Sequence, residues 1–126
     1  MSLLATVMSV LALHGSPYTA TVTATGHTPK IDTTWAYRVK VVDAAGKPLA
    51  ARISIVVVDP VGGLHPVHRY RPGGARGKAI TNLPITGGFS DAVRWPLEAK
   101  GYPLAFRVIV NAAGARRTIT YRLTPQ

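Results

Sequence analysis

Cysteine is missing from this chain. With it go any disulfide framework and any thiolate zinc site, so a chain of 126 residues must hold itself together through one hydrophobic core. The absence does not exclude export. Carboxylates are few: Asp32, Asp43, Asp59, Asp91 and Glu98 are the 5 acids, set against 15 Lys and Arg. A general acid–base pair needs two carboxylates converging in a cleft, and no spacing among these brings two together. Asp43 and Asp59 stand in turn contexts, where a side-chain oxygen caps backbone N–H groups. No nucleophile elbow, Walker loop or dinucleotide fingerprint is present. Gly73, Gly74 and Gly77 lack the strand-to-helix setting that a phosphate cradle requires. No apolar run is long enough to span a bilayer as a helix. The expectation from these gaps is a protein that is not an enzyme and that carries no cofactor and no metal.

What the chain does have is alternation. In Thr34-Trp-Ala-Tyr-Arg-Val-Lys-Val41, the residues Trp35, Tyr37, Val39 and Val41 share one face while Arg38 and Lys40 share the other, the period-two signature of a half-buried strand. Asp43-Ala-Ala-Gly46-Lys-Pro48 supplies a turn, with Gly46 suited to positive φ. A second strand runs from Arg52 into the apolar Ile55-Val-Val-Val58. Upstream, Tyr18 to Thr25 alternates Thr with small residues and reads as an edge strand. Downstream, Asp59-Pro-Val-Gly-Gly63 is a turn, and Leu64 to Tyr70 reads as a short strand weakened by Pro66. Ala79 to Leu83 reads as another, stopped by Pro84. Phe89, Val93 and Trp95 share a face, on which Asp91 is out of place. An Arg partner for Asp91, or a shifted register, accounts for it better than catalysis does. A single helical turn is expected at Leu97 to Lys100. Leu104, Phe106, Val108 and Val110, then Ile119, Tyr121 and Leu123, complete two more inward faces.

This pattern predicts an all-β chain: an immunoglobulin-like β-sandwich of six to seven antiparallel strands over residues 17–126. Trp35 and Trp95 are expected as core aromatics on opposite sides of the inter-sheet space. Met1 to Ser16 is uncharged, apolar and too short to span. It reads as a truncated signal or leader segment, with an N-terminal helix or strand packed on the core as the alternative.

The net charge of +10 attracts polyanions, although the basic residues are spread along the chain. The densest cluster is a glycine-rich loop carrying Arg69, Tyr70, Arg71, Arg76 and Lys78, where Arg suits phosphate and Tyr suits stacking. Arg107, Arg117 and Arg122 are expected to add to it from the outward faces of the late strands. His65-Pro-Val-His68 is the closest histidine pair. Three apart on a strand, its members diverge, Arg69 and Arg71 repel a cation, and no carboxylate lies nearby, so solvated edge histidines are favoured over a metal site.

The pattern from Tyr37 to Ile55, aromatic-x-V-x-V-x-D-x-x-G-K-P-L-x-x-x-I-x-I, resembles a strand-turn-strand of bacterial immunoglobulin-like and carboxypeptidase-regulatory-like domains. Gly88-Phe-Ser-Asp91, Trp95-Pro96 and Gly101-Tyr-Pro-Leu-Ala-Phe-Arg-Val108 are similar to small secreted immunoglobulin-like proteins of actinobacteria. The resemblance implies the sandwich fold and an extracytoplasmic (secreted or cell-surface) location. It carries no shared catalytic residues. The expected function is thus a structural or binding module whose partner is an unknown protein or an acidic cell-envelope polymer. A polyanion-binding protein using the 68–78 loop is the alternative, with acidic wall polymer favoured over nucleic acid.

Overall fold

The computed structural model describes residues 17–72 and 76–126. The leader assigned to residues 1–16 lies outside the described residues. Eight strands follow in chain order: β1 (Tyr18–Ala24), β2 (Thr34–Asp43), β3 (Ala50–Val58), β4 (Leu64–Pro66), β5 (Leu83–Thr86), β6 (Gly88–Arg94), β7 (Leu104–Ala112) and β8 (Ala115–Leu123). The one helical turn, Leu97–Ala99, is of the 3-10 type.

The strands build two antiparallel sheets of three and five strands. β2 lies between β1 and β6 in one; β3, flanked by β4 and β5, is followed by β7 and β8 in the other. The first, second and sixth strands are thus set against the third, seventh and eighth. The expected all-β sandwich is therefore what this chain forms. The count rises to eight with β4 and β5 included, which are only 3 and 4 residues long.

Alternation explains the layers. On β2, Trp35, Tyr37, Val39 and Val41 are buried and the residues between them exposed. Val39, Val41, Ile53, Ile55, Phe106, Val108 and Val110 are fully buried in the space between the sheets. Each such side chain contributes about 1.5–3 kcal/mol by area removed from water. Trp35 is the hub of the aromatic part of this core, 5.5 Å from Trp95 and 5.2 Å from Phe106, both edge-on, and its Nε1 donates to the Gly26 carbonyl at 2.9 Å. The two tryptophans do not sit on opposite sides of the core. Trp95 directly follows β6, whose Val93 is the cross-strand partner of Trp35, so both rings enter from the three-stranded sheet.

The turn at Asp43–Pro48 is a corner between sheets. Asp43 Oδ1 accepts the N–H groups of Ala45 and Lys47, each at 2.9 Å, and pairing ends after the Val42–Pro48 bridge, beyond which β2 and β3 diverge. Gly87 stitches this corner to the crossover between β5 and β6. Its carbonyl accepts Val41 N–H at 2.9 Å and its N–H donates to the Leu49 carbonyl at 3.0 Å. Its φ is +78°, and a Cβ there would strike Pro48.

Two predicted strands are corrected. The strand predicted from Leu64 to Tyr70 ends at Pro66. The one predicted from Ala79, stopped by Pro84, is a lone bridge between Ala79 and His68 followed by β5, which runs through Pro84 opposite Arg52. Proline is tolerated there because β5 is an edge segment with no second ladder over most of its length.

Candidate functional site

Between β4 and β5 the chain leaves the sheet edge over Val67–Pro72 and returns over Arg76–Ile80; these two segments form a strap. Its base is tied to β3: Val67 N–H donates to the Ile55 carbonyl at 3.0 Å, Ile55 N–H to Ile80 at 3.0 Å, and Ile80 N–H to Val67 at 2.8 Å. Val67 and Ile80 are buried, which anchors the strap in the core. Its far part reaches across the open side of the sandwich to β6. There Arg69 Nε lies 3.4 Å from Asp91 Oδ2, and its guanidinium sits 4.9 Å from the centre of the Phe89 ring. Tyr70 N–H donates to Asp91 Oδ2 at 3.1 Å. Asp91 is thus an inward carboxylate paired with an arginine.

This placement divides the five basic-loop residues proposed from sequence. Arg69 is engaged by Asp91 and Phe89 with its side chain 48% exposed, and Tyr70 is half-buried. Arg71, Arg76 and Lys78 are exposed and have no ion-pair partner among the described residues. Of the late-strand cations, Arg107 faces outward beside Val56 and Thr120. Arg117 does not: opposite Val110, it falls on the inward side with Ile119 and donates to the Tyr18 carbonyl at 3.3 Å.

The histidine pair also departs from expectation, because a carboxylate does lie nearby. His65 Nε2 and Asp59 Oδ2 are 2.8 Å apart, while Asp59 Oδ1 accepts the N–H groups of Val61 at 3.0 Å and Gly63 at 2.8 Å. The His65 bond, then these backbone donors, lowers the Asp59 pKa from its ordinary 3.8. No group of three or more His, Asp or Glu side chains converges among the described residues.

Beside the strap, toward the β3–β4 turn and the 3-10 turn, opens a cleft of about 1000 Å³. Val57, Val67, Val93, Trp95 and Leu104 floor it, and Arg69, Arg71, Arg76 and Arg94 stand on its rim with Asp59 and Glu98. The exposed large apolar residues Val61, Leu64, Leu97 and Tyr102 all belong to this end of the sandwich. A second hollow of about 730 Å³ at the opposite end is lined mostly by small residues such as Ala50, Ala112 and Gly114. Tyr37 Oη, Trp95 Nε1 and Arg107 Nε are buried without a hydrogen-bond partner. Burial first, and the neighbouring Asp91 second, push the Tyr37 pKa well above its ordinary 10.0, with Arg69 opposing.

Sequence reasoning missed the cleft, because its walls come from segments far apart in the chain. It also missed the Asp59–His65 bond, although a short Gly-Gly turn between the two was a usable signal. No helix among the described residues is long and apolar enough to cross a membrane.

The sequence matches no protein-family model and no curated protein. Among solved structures, the chain is similar to a DUF4466 family protein from Parabacteroides merdae ATCC 43184, with TM-score 0.46 and 14% identity over 88% of this chain; it spans 44% of that protein's length. It is also similar to a domain of the outer membrane lipoprotein Omp28 from Porphyromonas gingivalis, with TM-score 0.46 and 15% identity over 88% of this chain and 91% of that domain.

Proposed function

We propose that this chain is a non-catalytic, extracytoplasmic binding module of the bacterial immunoglobulin-like type, and that it holds its partner at the cleft beside the strap. The observation that carries the reading is the gathering of Val61 and Tyr102, exposed by 93% and 55%, around an apolar floor rimmed by arginines. Apolar concavities with a few convergent polar groups are where proteins take ligands. The non-catalytic part rests on the acids. Asp43 and Asp59 cap turns, Asp91 is consumed by Arg69 and Tyr70, and Asp32 sits 3.9 Å from Arg94. The extracytoplasmic part rests on the resemblance to secreted domains and on the apolar leader. It is checked by mass spectrometry of the mature N-terminus in cell and medium fractions; a cytoplasmic chain with Met1 intact ends it.

The cleft is tested with 8-anilinonaphthalene-1-sulfonate, an aromatic body bearing one anionic group. Saturable one-to-one binding to the folded domain is expected, weakened about tenfold by Val61→Ser with Tyr102→Ser, the loss of two apolar contacts. Binding that never saturates, or that ignores both substitutions, removes the cleft from consideration.

A second reading, polyanion binding, is favoured by Arg71, Arg76 and Lys78, which are exposed and have no ion-pair partner among the described residues. Retention on heparin in moderate salt, with affinity falling steeply as salt rises, is its signature.

A further inference from the structure

The outward face of the three-stranded sheet carries a chemistry of its own. On β1, alternation turns Thr19, Thr21 and Thr23 to solvent, and all three are exposed. On β2 the outward residues at the same level are Arg38 and Lys40, and on β6 Ser90; all three are exposed. The register aligns them in rows: Thr21 opposite Lys40, Thr23 opposite Arg38, and Arg38 opposite Ser90. With strands about 4.8 Å apart and same-face neighbours about 6.8 Å apart along a strand, hydroxyls and cations interleave on one patch.

Arg38 does not stand off into solvent at random. The residue opposite Lys40 is Gly88, and a Cβ built there would come within 3.2 Å of an Arg38 terminal nitrogen. The missing side chain lets the guanidinium lie across β6. Neither Arg38 nor Lys40 has a carboxylate partner among the described residues. The acids are all placed elsewhere: Asp91 points inward to Arg69, Asp43 caps its own turn, Asp32 neighbours Arg94, and Asp59 and Glu98 border the cleft.

We propose that this face docks an acidic polysaccharide. The proposal rests on the polyanion reading and moves it from the strap to the sheet. Interleaved hydroxyls match sugar hydroxyls, each able to donate and accept, while Arg38 and Lys40 match carboxylate or sulfate groups along the chain. Other polyanions fit less well. The patch has no aromatic side chain on which bases stack and no bulky apolar group to enter a bilayer. Nor does it project an element into a nucleic-acid groove.

The test uses fluorescein-labelled heparin and a labelled DNA duplex as probes over a range of salt. Arg38→Gln with Lys40→Gln is expected to weaken heparin binding about tenfold or more and to flatten the salt dependence by about two contacts. Thr21→Val with Thr23→Val keeps the strand propensity and the charge while removing hydroxyls. It is expected to weaken heparin binding about threefold with the salt slope unchanged. Arg71→Gln with Arg76→Gln and Lys78→Gln is expected to weaken it less than the β2 pair does. All these positions are exposed, and an unchanged urea midpoint confirms that each variant is folded. If the strap variant loses binding and the β2 variant keeps it, the sheet assignment is overturned while the polyanion reading stands. If wild type ignores heparin at about 0.1 M salt, where charges still interact over about 10 Å, that reading falls as well. If DNA binds as tightly as heparin and the Thr variant changes nothing, the glycan assignment is overturned.

Discussion

Arg69 and Asp91 hold the strap against the three-stranded sheet: Nε and Oδ2 lie 3.4 Å apart, with the Asp91 side chain only 10% exposed and that of Arg69 48% exposed. The same carboxylate takes the Tyr70 N–H, so one acid on the inner face of β6 ties down two consecutive residues of a segment whose base is bonded to β3.

Asp91→Ala is therefore expected to destabilise the domain by about 2 kcal/mol, because it strands a half-buried cation and a backbone donor together. Arg69→Gln, whose charge is half solvated, is expected to cost about half as much. Urea unfolding of the single and double variants measures both terms. A double variant equal to the sum of the singles would mean that the two side chains do not interact.

Tyr37 lies opposite Asp91 on β2 with its hydroxyl buried and unpaired. Tyr37→Phe removes an unsatisfied polar group at nearly constant volume, so it is expected to be neutral or stabilising by up to about 1 kcal/mol. Since folding raises the Tyr37 pKa, its contribution is complete below the ordinary value of 10.0 and is lost as pH climbs above it. The variant should lose less stability than wild type between neutral and strongly alkaline pH. A clear destabilisation at neutral pH would show that the hydroxyl has a partner.

Asp59 behaves in the opposite sense. Its pKa is lowered in the folded state from 3.8, so the order that it confers on the β3–β4 turn is present above that value and fades as pH falls through the folded pKa. An NMR titration is expected to place its midpoint below the ordinary range, and His65→Ala should move it upward. The amides of Val61 and Gly63 should lose exchange protection over the same interval. A midpoint unchanged by His65→Ala would discount that bond.

Gly87 and Gly46 both have positive φ, +78° and +81°, yet only Gly87 has a neighbour, Pro48, where a Cβ would go. Gly46→Ala is expected to cost about 1 kcal/mol for the backbone conformation alone. Gly87→Ala adds a clash at the corner joining the two sheets, and about 3 kcal/mol is expected. Thermal unfolding of the pair separates strain from contact; equal costs would refute the packing argument.

Much of the architecture is legible in the chain. The alternation Trp35-x-Tyr37-x-Val39-x-Val41 announces its buried face, and Asp43 with Gly46 announces the turn, because both are settled by neighbours within a few residues. Asp91 was visible only as a conflict in such a pattern, and an arginine partner was one of its two readings. That the partner is Arg69 was not legible, since strap and β6 meet only after the chain has crossed from one sheet to the other. The same distance in sequence hid the cleft and placed Trp35 and Trp95 on one sheet, whereas the inward side of Arg117 follows from its alternation with Ile119 and Tyr121.

Sequence by itself determined the inward face of most strands, where most of them begin, and that the chain is basic with few acids. Each of these follows from a period of two or from a count. Only the tertiary structure decided which strands are neighbours. That choice pairs Arg69 with Asp91 and lays Arg38 across Gly88 beside a row of threonines. A charge acquires its role from what the fold brings within a few ångströms of it, and a one-dimensional pattern does not hold that information.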